Sequence, residues 1–248
     1  MKIFRGLICC LLLIGAVMGY SQDVLQDHQQ LLVVTSQDWN TLQARLQRYE
    51  RTAENGCWTP IGNRIPIVLG KTGLAWGIGL QPCPVNRTIP VKKEGDGKSP
   101  AGIFTIGPIF GFPQSSAMGH LRVEYLQIDE ATEAVDDPSS VYYNCIVDNL
   151  KVPCDWNSSE KMAEISLYEL GFVVNHNYPN PQPGKGSAIF FHLWPNENSG
   201  TAGCTAMERE NLNQIVCWLD ERKNPVLVQL PVALYNELKG YWELPNLE

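Results

Sequence analysis

The chain has 248 residues, of which 44% are hydrophobic and 18% charged, so it can build a substantial core and does not have the composition of a disordered protein. Its 21 glycines and 17 prolines favour many turns and short strands over a helical bundle. The formal net charge of −7 argues against a nucleic-acid partner, which would select for a basic face.

The first 21 residues have the pattern of an export signal. Lys2 and Arg5 precede a short apolar run over residues 7–17, and small residues follow it. The run is shorter than the about 20 residues that a membrane-spanning helix needs, which disfavours the alternative, an N-terminal membrane anchor. We therefore expect a signal peptide over residues 1–21 and one domain over residues 22–248, exported and without stable membrane insertion.

Export would place the cysteines of the mature chain where disulfides persist. The cysteines that remain after the predicted cleavage are Cys57, Cys83, Cys145, Cys154, Cys204 and Cys217. Sequence alone does not select a pairing. We hypothesise cross-links between Cys57 and Cys83 and between Cys145 and Cys154, because each pair brackets a short segment. Cys217 is expected to be a buried, inert thiol.

Short apolar and β-branched runs bounded by glycine and proline predict a mainly β fold. The strand candidates are residues 31–34, 65–69, 74–78, 103–106, 123–128, 172–174, 188–194 and 226–230. Asp38 as a cap and the spacing of Leu42, Leu46 and Tyr49 predict a helix between the first two strands. The turn-rich residues 110–157 predict surface loops and irregular strand, in a segment of the kind that forms a lid or a binding loop.

Apolar residues at helical spacing predict further helices over residues 159–170 and 207–220. Pro231, a residue typical of the first helical turn, predicts the start of a last short helix. Thr205 and Glu208 form the T-x-x-E pattern of a capping box, which would start the second of these helices directly after the threonine.

The strand candidate that contains His192 leads through a polar loop to Gly203 and Cys204, directly before the predicted helix. The free N–H groups and the dipole of a helix start favour a thiolate and would lower the pKa of the cysteine. The backbone N–H groups of Gly203 and Cys204 would stabilise an oxyanion, and His192 would act as the base. Nucleophile, base and oxyanion donors together predict acyl transfer.

Two structural interpretations compete with this chemistry. A disulfide between Cys204 and Cys217 is disfavoured, because a mostly helical segment would separate them by about 20 Å, whereas a disulfide needs Cα atoms within about 7 Å. A core histidine without a chemical role is the alternative for His192, and spacing alone leaves it open. His120 and His176 have no partner at ligand spacing, so no metal site is expected.

At these residues the chain resembles the L,D-transpeptidase catalytic domain (the YkuD superfamily) of bacterial cell-wall enzymes, in the branch that reads G-S-A-I-F-x-H-x-W and then T-A-G-C. The resemblance also covers the segments IPIVLGKTGLAWG, EGDGKSPAGIFTIG, DDPSSVYYN, DWNSSEKM and NPVLVQLP. It extends over most of the mature chain, from about residue 31 to residue 231.

The resemblance implies an α+β fold that is mainly β, with two mixed sheets in a sandwich-like arrangement and a few peripheral helices. It implies Cys204 as nucleophile, His192 as its general base, peptidoglycan stem peptides as substrate, the periplasm or cell wall as location, and no cofactor or metal. The thiol would attack the carbonyl of the third stem residue and release the terminal D-alanine. An amine of another stem would then resolve the thioester into a cross-link, whereas water would make the enzyme a carboxypeptidase.

The chain departs from the family pattern beside the nucleophile. Many members read S-H-G-C with an arginine two residues later, where this chain has Ala202 and Ala206. Lys185 or Arg209 would then have to hold the carboxylate that the arginine usually clamps. The departure keeps two alternatives open, namely a non-catalytic cell-wall-binding module and a hydrolase of stem-peptide linkages.

Overall fold

The structure is a computed structural model that describes residues 24–52, 56–84 and 88–247. The predicted signal peptide, residues 1–21, lies outside the described residues. Within these ranges, no helix is long and apolar enough to cross a membrane.

The described ranges contain thirteen strands, two α-helices and several short 3-10 turns. The strands are β1 (Gln30–Ser36), β2 (Gln43–Glu50), β3 (Thr59–Val68), β4 (Leu74–Trp76), β5 (Ser99–Gly111), β6 (Tyr125–Gln127), β7 (Thr132–Val135), β8 (Ile146–Asp148), β9 (Ser159–Lys161), β10 (Leu170–Val174), β11 (Phe190–Leu193), β12 (Thr205–Met207) and β13 (Val226–Pro231). The helices are α1 (Arg209–Trp218) and α2 (Val232–Leu238).

One large sheet has the order β10-β11-β12-β3-β2-β1-β13-β5-β4, with β6 beside β5. Strand β10 also pairs with β5, so the sheet closes on itself like a barrel. Strands β8, β7 and β9 form a separate small sheet. The mainly β fold with few helices is confirmed, and the large sheet is mixed. The small sheet is antiparallel throughout, and the predicted second mixed sheet and sandwich-like arrangement are not confirmed.

Strand β1 lies in the centre of the large sheet, between β2 and β13, and all seven of its residues are buried. A strand covered on both faces reads as a continuous apolar run, which is why residues 31–34 were recognisable. Burying each leucine or valine side chain there contributes roughly 1.5–3 kcal/mol. All eight predicted strands are present, as β1, β3, β4, β5, β6, β10, β11 and β13.

The helix predicted after Asp38 is wrong, because these residues form β2. The Asp38 carboxylate accepts hydrogen bonds from Asn40 N and Thr41 Oγ1, both at 2.8 Å, and so closes a turn instead of capping a helix. Leu46 and Tyr49 are both buried although they are three residues apart. Strand β2 is buried along most of its length, and its pairing with β3 shifts register nearby, so the strand lacks the strict alternation that would have identified it.

The helix predicted over residues 159–170 is also wrong. This segment begins as β9, continues through two 3-10 turns at Met162–Glu164 and Ser166–Tyr168, and ends at the start of β10. Pairing of β9 with β7 overrides the helical spacing of the apolar residues. The preceding region, residues 110–157, contains short strands as predicted, but β7 is buried and does not lie on the surface.

Helix α1 begins at Arg209, later than predicted, and the capping box does not form. Thr205 lies in β12 and donates its hydroxyl hydrogen to Gln229 Oε1 at 3.0 Å. Glu208 occupies the N-cap position without a side-chain cap. The last helix, α2, follows Pro231 as predicted.

The cysteines are unpaired throughout the described residues. The cross-links hypothesised between Cys57 and Cys83 and between Cys145 and Cys154 are not formed. Cys217 is exposed on α1, with His120 Nε2 at 3.8 Å from its Sγ, so the prediction of a buried thiol is wrong. Cys204 is buried and makes no disulfide.

We expect Gly171→Ala to destabilise the protein by about 1–3 kcal/mol, because a Cβ there would lie 2.3 Å from Phe110 Cζ and 2.6 Å from Phe191 O. Chemical denaturation measures the loss. The matched control is Gly119→Ala, whose Cβ would meet only Ser116 O at 4.0 Å and whose φ of −63° suits alanine. Equal stabilities of the two variants would contradict the described packing of β10 on β5.

Candidate active site

Hydrogen bonds hold Cys204 at both its backbone and its side chain. Phe190 N–H donates to Sγ at 3.3 Å, and the thiol donates to Ala188 O at 3.4 Å. The Cys204 carbonyl accepts from Ser99 Oγ and from Thr201 Oγ1, both at 2.6 Å. The sulfur is therefore fixed against the start of β11, and Cys204 is only 7% exposed.

The backbone next to the thiol is held in an unusual conformation. Ala188 has a φ of 50°, in the left-handed region, which costs a non-glycine residue about 1–3 kcal/mol. The side-chain carbonyl of Asn144 accepts a hydrogen bond from Ala188 N at 3.0 Å. The amide group of the same asparagine donates to His176 O and Asn177 O, both at 3.0 Å. Asn144 thus joins two turns and fixes the carbonyl to which the thiol donates.

The surroundings of Cys204 favour the neutral thiol. Burial raises its pKa to about 12, and the negative charge of Glu160 acts in the same direction. The hydrogen bond from Phe190 N–H and the Lys92 ammonium oppose these effects. The expected lowering by a helix start is wrong, because β12 separates the cysteine from α1, which begins at Arg209.

His192 lies on β11 and is buried. Its Nδ1 is 2.7 Å from the backbone carbonyl of Leu193. A carbonyl only accepts, so Nδ1 carries the hydrogen and Nε2 keeps a free lone pair. Burial lowers the pKa of His192 to about 4, so the imidazole is neutral at physiological pH.

The structure brings the imidazole and the thiol to one face of the large sheet. The parallel register of β11 and β12 pairs His192 with Ala206. Cys204 therefore lies level with Phe190, and its side chain shares a face with the imidazole because side chains alternate along a strand. No hydrogen bond joins the imidazole to the thiol in the part of the chain that the structure describes, so the predicted direct pair is not present.

Tyr168 and Glu160 complete this buried group, and sequence reasoning missed both. The Tyr168 ring packs edge-on against the His192 ring, with centroids 5.2 Å apart. Its hydroxyl donates to Glu160 Oε2 at 2.6 Å. Glu160 belongs to β9 of the small sheet, and burial raises its pKa.

Lys92 supplies a buried positive charge beside the nucleophile. It is 3% exposed, and its Nζ donates to Asp96 Oδ1 at 2.6 Å and to Lys93 O at 2.9 Å. A Cβ added at Gly203 would lie 3.7 Å from this Nζ. The ammonium is thus the nearby cation that stabilises negative charge on Cys204.

Two residues with predicted binding roles have other partners. Gly203 N–H, expected to face an oxyanion, donates to Thr201 Oγ1 at 3.1 Å. Arg209, suggested as a carboxylate clamp, forms a two-bond ion pair with Glu169 on the surface, at 2.8 and 2.5 Å. The Arg209 guanidinium is therefore engaged by Glu169 and does not face Cys204 as a carboxylate clamp in this arrangement.

A cavity of about 590 Å³ lies beside β10 and β11, and its lining includes Ala188 and Phe190. Cys204 and His192 do not line it. Because both lining residues also hydrogen-bond to the sulfur, residues 188–190 stand between this cavity and the thiol.

Comparison with known proteins places this site in a family. A sequence model of the L,D-transpeptidase catalytic domain matches residues 41–228. The chain therefore belongs to the L,D-transpeptidase catalytic domain family, whose members are cysteine-dependent and act on peptidoglycan stem peptides outside the cytoplasm. Searches of curated proteins and of solved structures returned no match.

We expect Lys92→Met to slow alkylation of Cys204 by iodoacetamide, roughly tenfold near neutral pH, because loss of the ammonium raises the pKa of the thiol further. Mass spectrometry of the Cys204 peptide gives the rate. Asp96 keeps hydrogen bonds from Lys93 N and Lys98 N in this variant. The exposed neighbour Lys93→Met is the control, and similar rates in both variants would refute the electrostatic role.

Two of the buried histidines, His176 and His192, make stability depend on pH. Burial lowers the pKa of both His176 and His192 to about 4, below the ordinary value of 6.5. Between these values the unfolded chain binds protons that the folded chain does not, so stability falls as pH falls from about 6.5 to about 4. We expect His176→Gln to reduce the difference in unfolding free energy between about pH 7.5 and about pH 5 by about 2 kcal/mol. Urea denaturation at both pH values tests this, and an unchanged difference would rule it out.

Proposed function

We propose that this protein is an exported cysteine acyltransferase that performs L,D-transpeptidation of peptidoglycan stem peptides in the periplasm or cell wall. In this proposal a signal peptide over residues 1–21 precedes a single catalytic domain over residues 22–248. The observation that carries the proposal is the buried Cys204 on the same sheet face as His192, in a chain of the L,D-transpeptidase family.

As Cys204 Sγ attacks the carbonyl carbon of the third stem residue, the thiol proton passes to a base. The base then gives this proton to the nitrogen of the terminal D-alanine, and the bond between that nitrogen and the carbonyl carbon breaks. A stem-peptide thioester remains on the sulfur. An amine of a second stem then attacks the thioester, and His192 Nε2 takes the proton that this amine loses. The imidazolium returns that proton to the departing sulfur, which restores the resting thiol.

The oxyanion formed in both steps needs stabilisation by hydrogen-bond donors or a positive charge. The backbone N–H groups of Gly203 and Cys204 remain the proposed donors. Gly203 N–H takes this role once the substrate oxyanion replaces its present acceptor, the hydroxyl of Thr201. The Lys92 ammonium adds a positive charge on the same side of the nucleophile.

Burial of the catalytic group supports an amine as acceptor over water. Cys204, His192 and Tyr168 are each under a tenth exposed, so bulk water has little access to a thioester formed there. An amine on a bound second stem therefore attacks the thioester faster than water does. Carboxypeptidase activity is the minor reaction expected in the absence of that stem.

We expect Cys204→Ala to abolish turnover of stem peptides and to leave the fold nearly unchanged, because the variant removes only the sulfur. Muropeptide profiling after incubation with the purified protein measures turnover. Intact-protein mass spectrometry after incubation with a carbapenem measures acylation. Cys217→Ala, which removes an exposed thiol, is the matched control and should retain both activities. Persistent carbapenem labelling of Cys204→Ala would refute the assignment.

The high pKa of the thiol and the engaged Gly203 N–H favour a second candidate, a cell-wall-binding module without catalysis. Binding to isolated sacculi that is equal in wild type and Cys204→Ala, with unchanged muropeptides, would establish it. A profile that shows only shortened stems, without new cross-links, would instead identify a hydrolase.

A further inference from the structure

The cavity of about 590 Å³ beside β10 and β11 ends on the residues that hold the nucleophile. Ala188 and Phe190 line it, and the same two residues hydrogen-bond to Cys204 Sγ, at 3.4 and 3.3 Å. Ala188 is only half-buried. The turn at Ala188 is thus a place where a molecule in the cavity comes near the sulfur.

The walls of this cavity are mainly apolar and come from both sheets. Leu126 of β6, Val173 of β10 and Ile146 of β8 are among them. All three pack against the buried cluster that contains Cys204. Walls of this kind suit the methylene groups of an aliphatic chain.

The charged groups that line the cavity are carboxylates. Glu124 and Glu221 belong to its lining, and both are exposed to solvent. Among the described residues that line it, none is lysine or arginine. Arg122 and Arg222, the arginines nearest to the two glutamates in sequence, both pair with Asp220. The charge of this cavity therefore complements a cation.

The carbonyl of Ala188 becomes available to a ligand once Cys204 is acylated. Among the described residues, its hydrogen-bond donor is the thiol, at 3.4 Å. Formation of a thioester removes the thiol hydrogen and leaves this carbonyl without that donor beside the acyl group. The carbonyl stays in place, because Ala188 N–H donates to Asn144 Oδ1 at 3.0 Å. A polar group that has lost its partner favours binding of a new donor.

We propose that this cavity binds the acceptor amine of the second stem, and that Ala188 O holds the amine beside the thioester. This inference rests on the proposed function and names the binding site of its acceptor. Glu124 and Glu221 attract the ammonium group, and the apolar walls cover the aliphatic chain that carries it. Ala188 O accepts one of its N–H groups.

The position of Ala188 O places the amine for attack. A nitrogen at about 2.9 Å from this oxygen lies next to the acyl carbon, because the oxygen is itself 3.4 Å from Sγ. The ammonium first releases one proton to water at the exposed carboxylates. The neutral amine keeps one N–H on Ala188 O and attacks with its lone pair, and His192 Nε2 takes the proton that the nitrogen then loses. Because the thiol masks the carbonyl at rest, the acceptor binds tightly only after the donor has reacted.

Two substitutions of the nucleophile test the role of Ala188 O without turnover. Cys204→Ala leaves this carbonyl without its donor, as acylation does, whereas Cys204→Ser keeps a hydroxyl that donates to it. We expect 1,5-diaminopentane, an aliphatic diamine, to bind Cys204→Ala about tenfold more tightly than Cys204→Ser or wild type. Isothermal titration calorimetry near neutral pH and at low salt measures the affinities. Equal affinities of the alanine and serine variants would overturn the assignment of Ala188 O.

Removal of the two carboxylates tests the cavity itself. In the Cys204→Ala background we expect Glu124→Gln combined with Glu221→Gln to weaken binding of 1,5-diaminopentane at least about tenfold, and to remove most of its dependence on salt. Glu130→Gln is the control, because Glu130 is exposed and does not line the cavity. Thermal melting shows that each variant is folded. An affinity that the double substitution leaves unchanged would refute this cavity as the amine site.

These outcomes are separable from failure of the proposed function, since binding of the diamine needs no stem peptide. A protein that binds the diamine as expected but turns over no muropeptide would contradict the transpeptidase proposal and support the amine site. A protein that forms cross-links while neither set of substitutions changes diamine binding would support the transpeptidase proposal and overturn the amine site.

Discussion

The position of the Cys204 carbonyl is the constraint on which the rest of the site depends. It accepts hydroxyl hydrogens from Ser99, at the start of β5, and from Thr201, in the loop after β11. Ser99 Oγ in turn accepts from Gly70 N at 2.8 Å, so three separate segments meet at one residue. Each such buried hydrogen bond contributes about 0.5–1.5 kcal/mol net, and losing one partner costs more. Closure of the large sheet through β5 and β10 brings these segments together, which is how the fold determines where the sulfur lies.

Cys204 lies where the two sheets meet, in a buried cluster with Phe190 of β11 and Ala134 of β7. Phe110, Tyr168 and Phe190 pack edge-to-face there, with ring centroids 5.1–5.8 Å apart, and exclude water from the thiol. This dry surrounding raises the pKa of the thiol and lowers that of the imidazole at once. The small sheet adds Glu160, a half-buried carboxylate that accepts a hydrogen bond from the Tyr168 hydroxyl. Strands β7 and β8 of this sheet belong to the turn-rich region, whose role as a lid or binding loop stays a prediction.

The sequence was informative where burial is continuous and misleading where pairing overrides local preference. Strand β11, with His192 near its end, and the following Cys204 were recognisable as strand, polar loop and cysteine. The capping box predicted from the T-x-x-E pattern does not form, because Thr205 pairs with β11 and its side chain hydrogen-bonds to Gln229. A helix that started at this residue would lose both interactions. Tyr168 and Glu160 lie in a segment with helical spacing, and only the 3-10 turns between β9 and β10 bring the two side chains together. The segments that carry the family resemblance do contain Ser99, Asn144 and Glu160, but nothing local in them reveals which partner each side chain finds.

In the proposed mechanism, the opposing charges around the sulfur allow Cys204 to be inert at rest and reactive toward its substrate. A thiolate stabilised by a helix start would be ionised at all times and open to oxidation outside the cytoplasm. Here burial and Glu160 keep the proton on the sulfur, and Lys92 limits the cost of removing it. Charge then develops only while the substrate carbonyl accepts it, so the stabilisation is realised in the transition state and not in the resting enzyme. The arginine and the second histidine of the family pattern are absent from this chain. A buried lysine and a tyrosine–glutamate pair lie near the thiol instead.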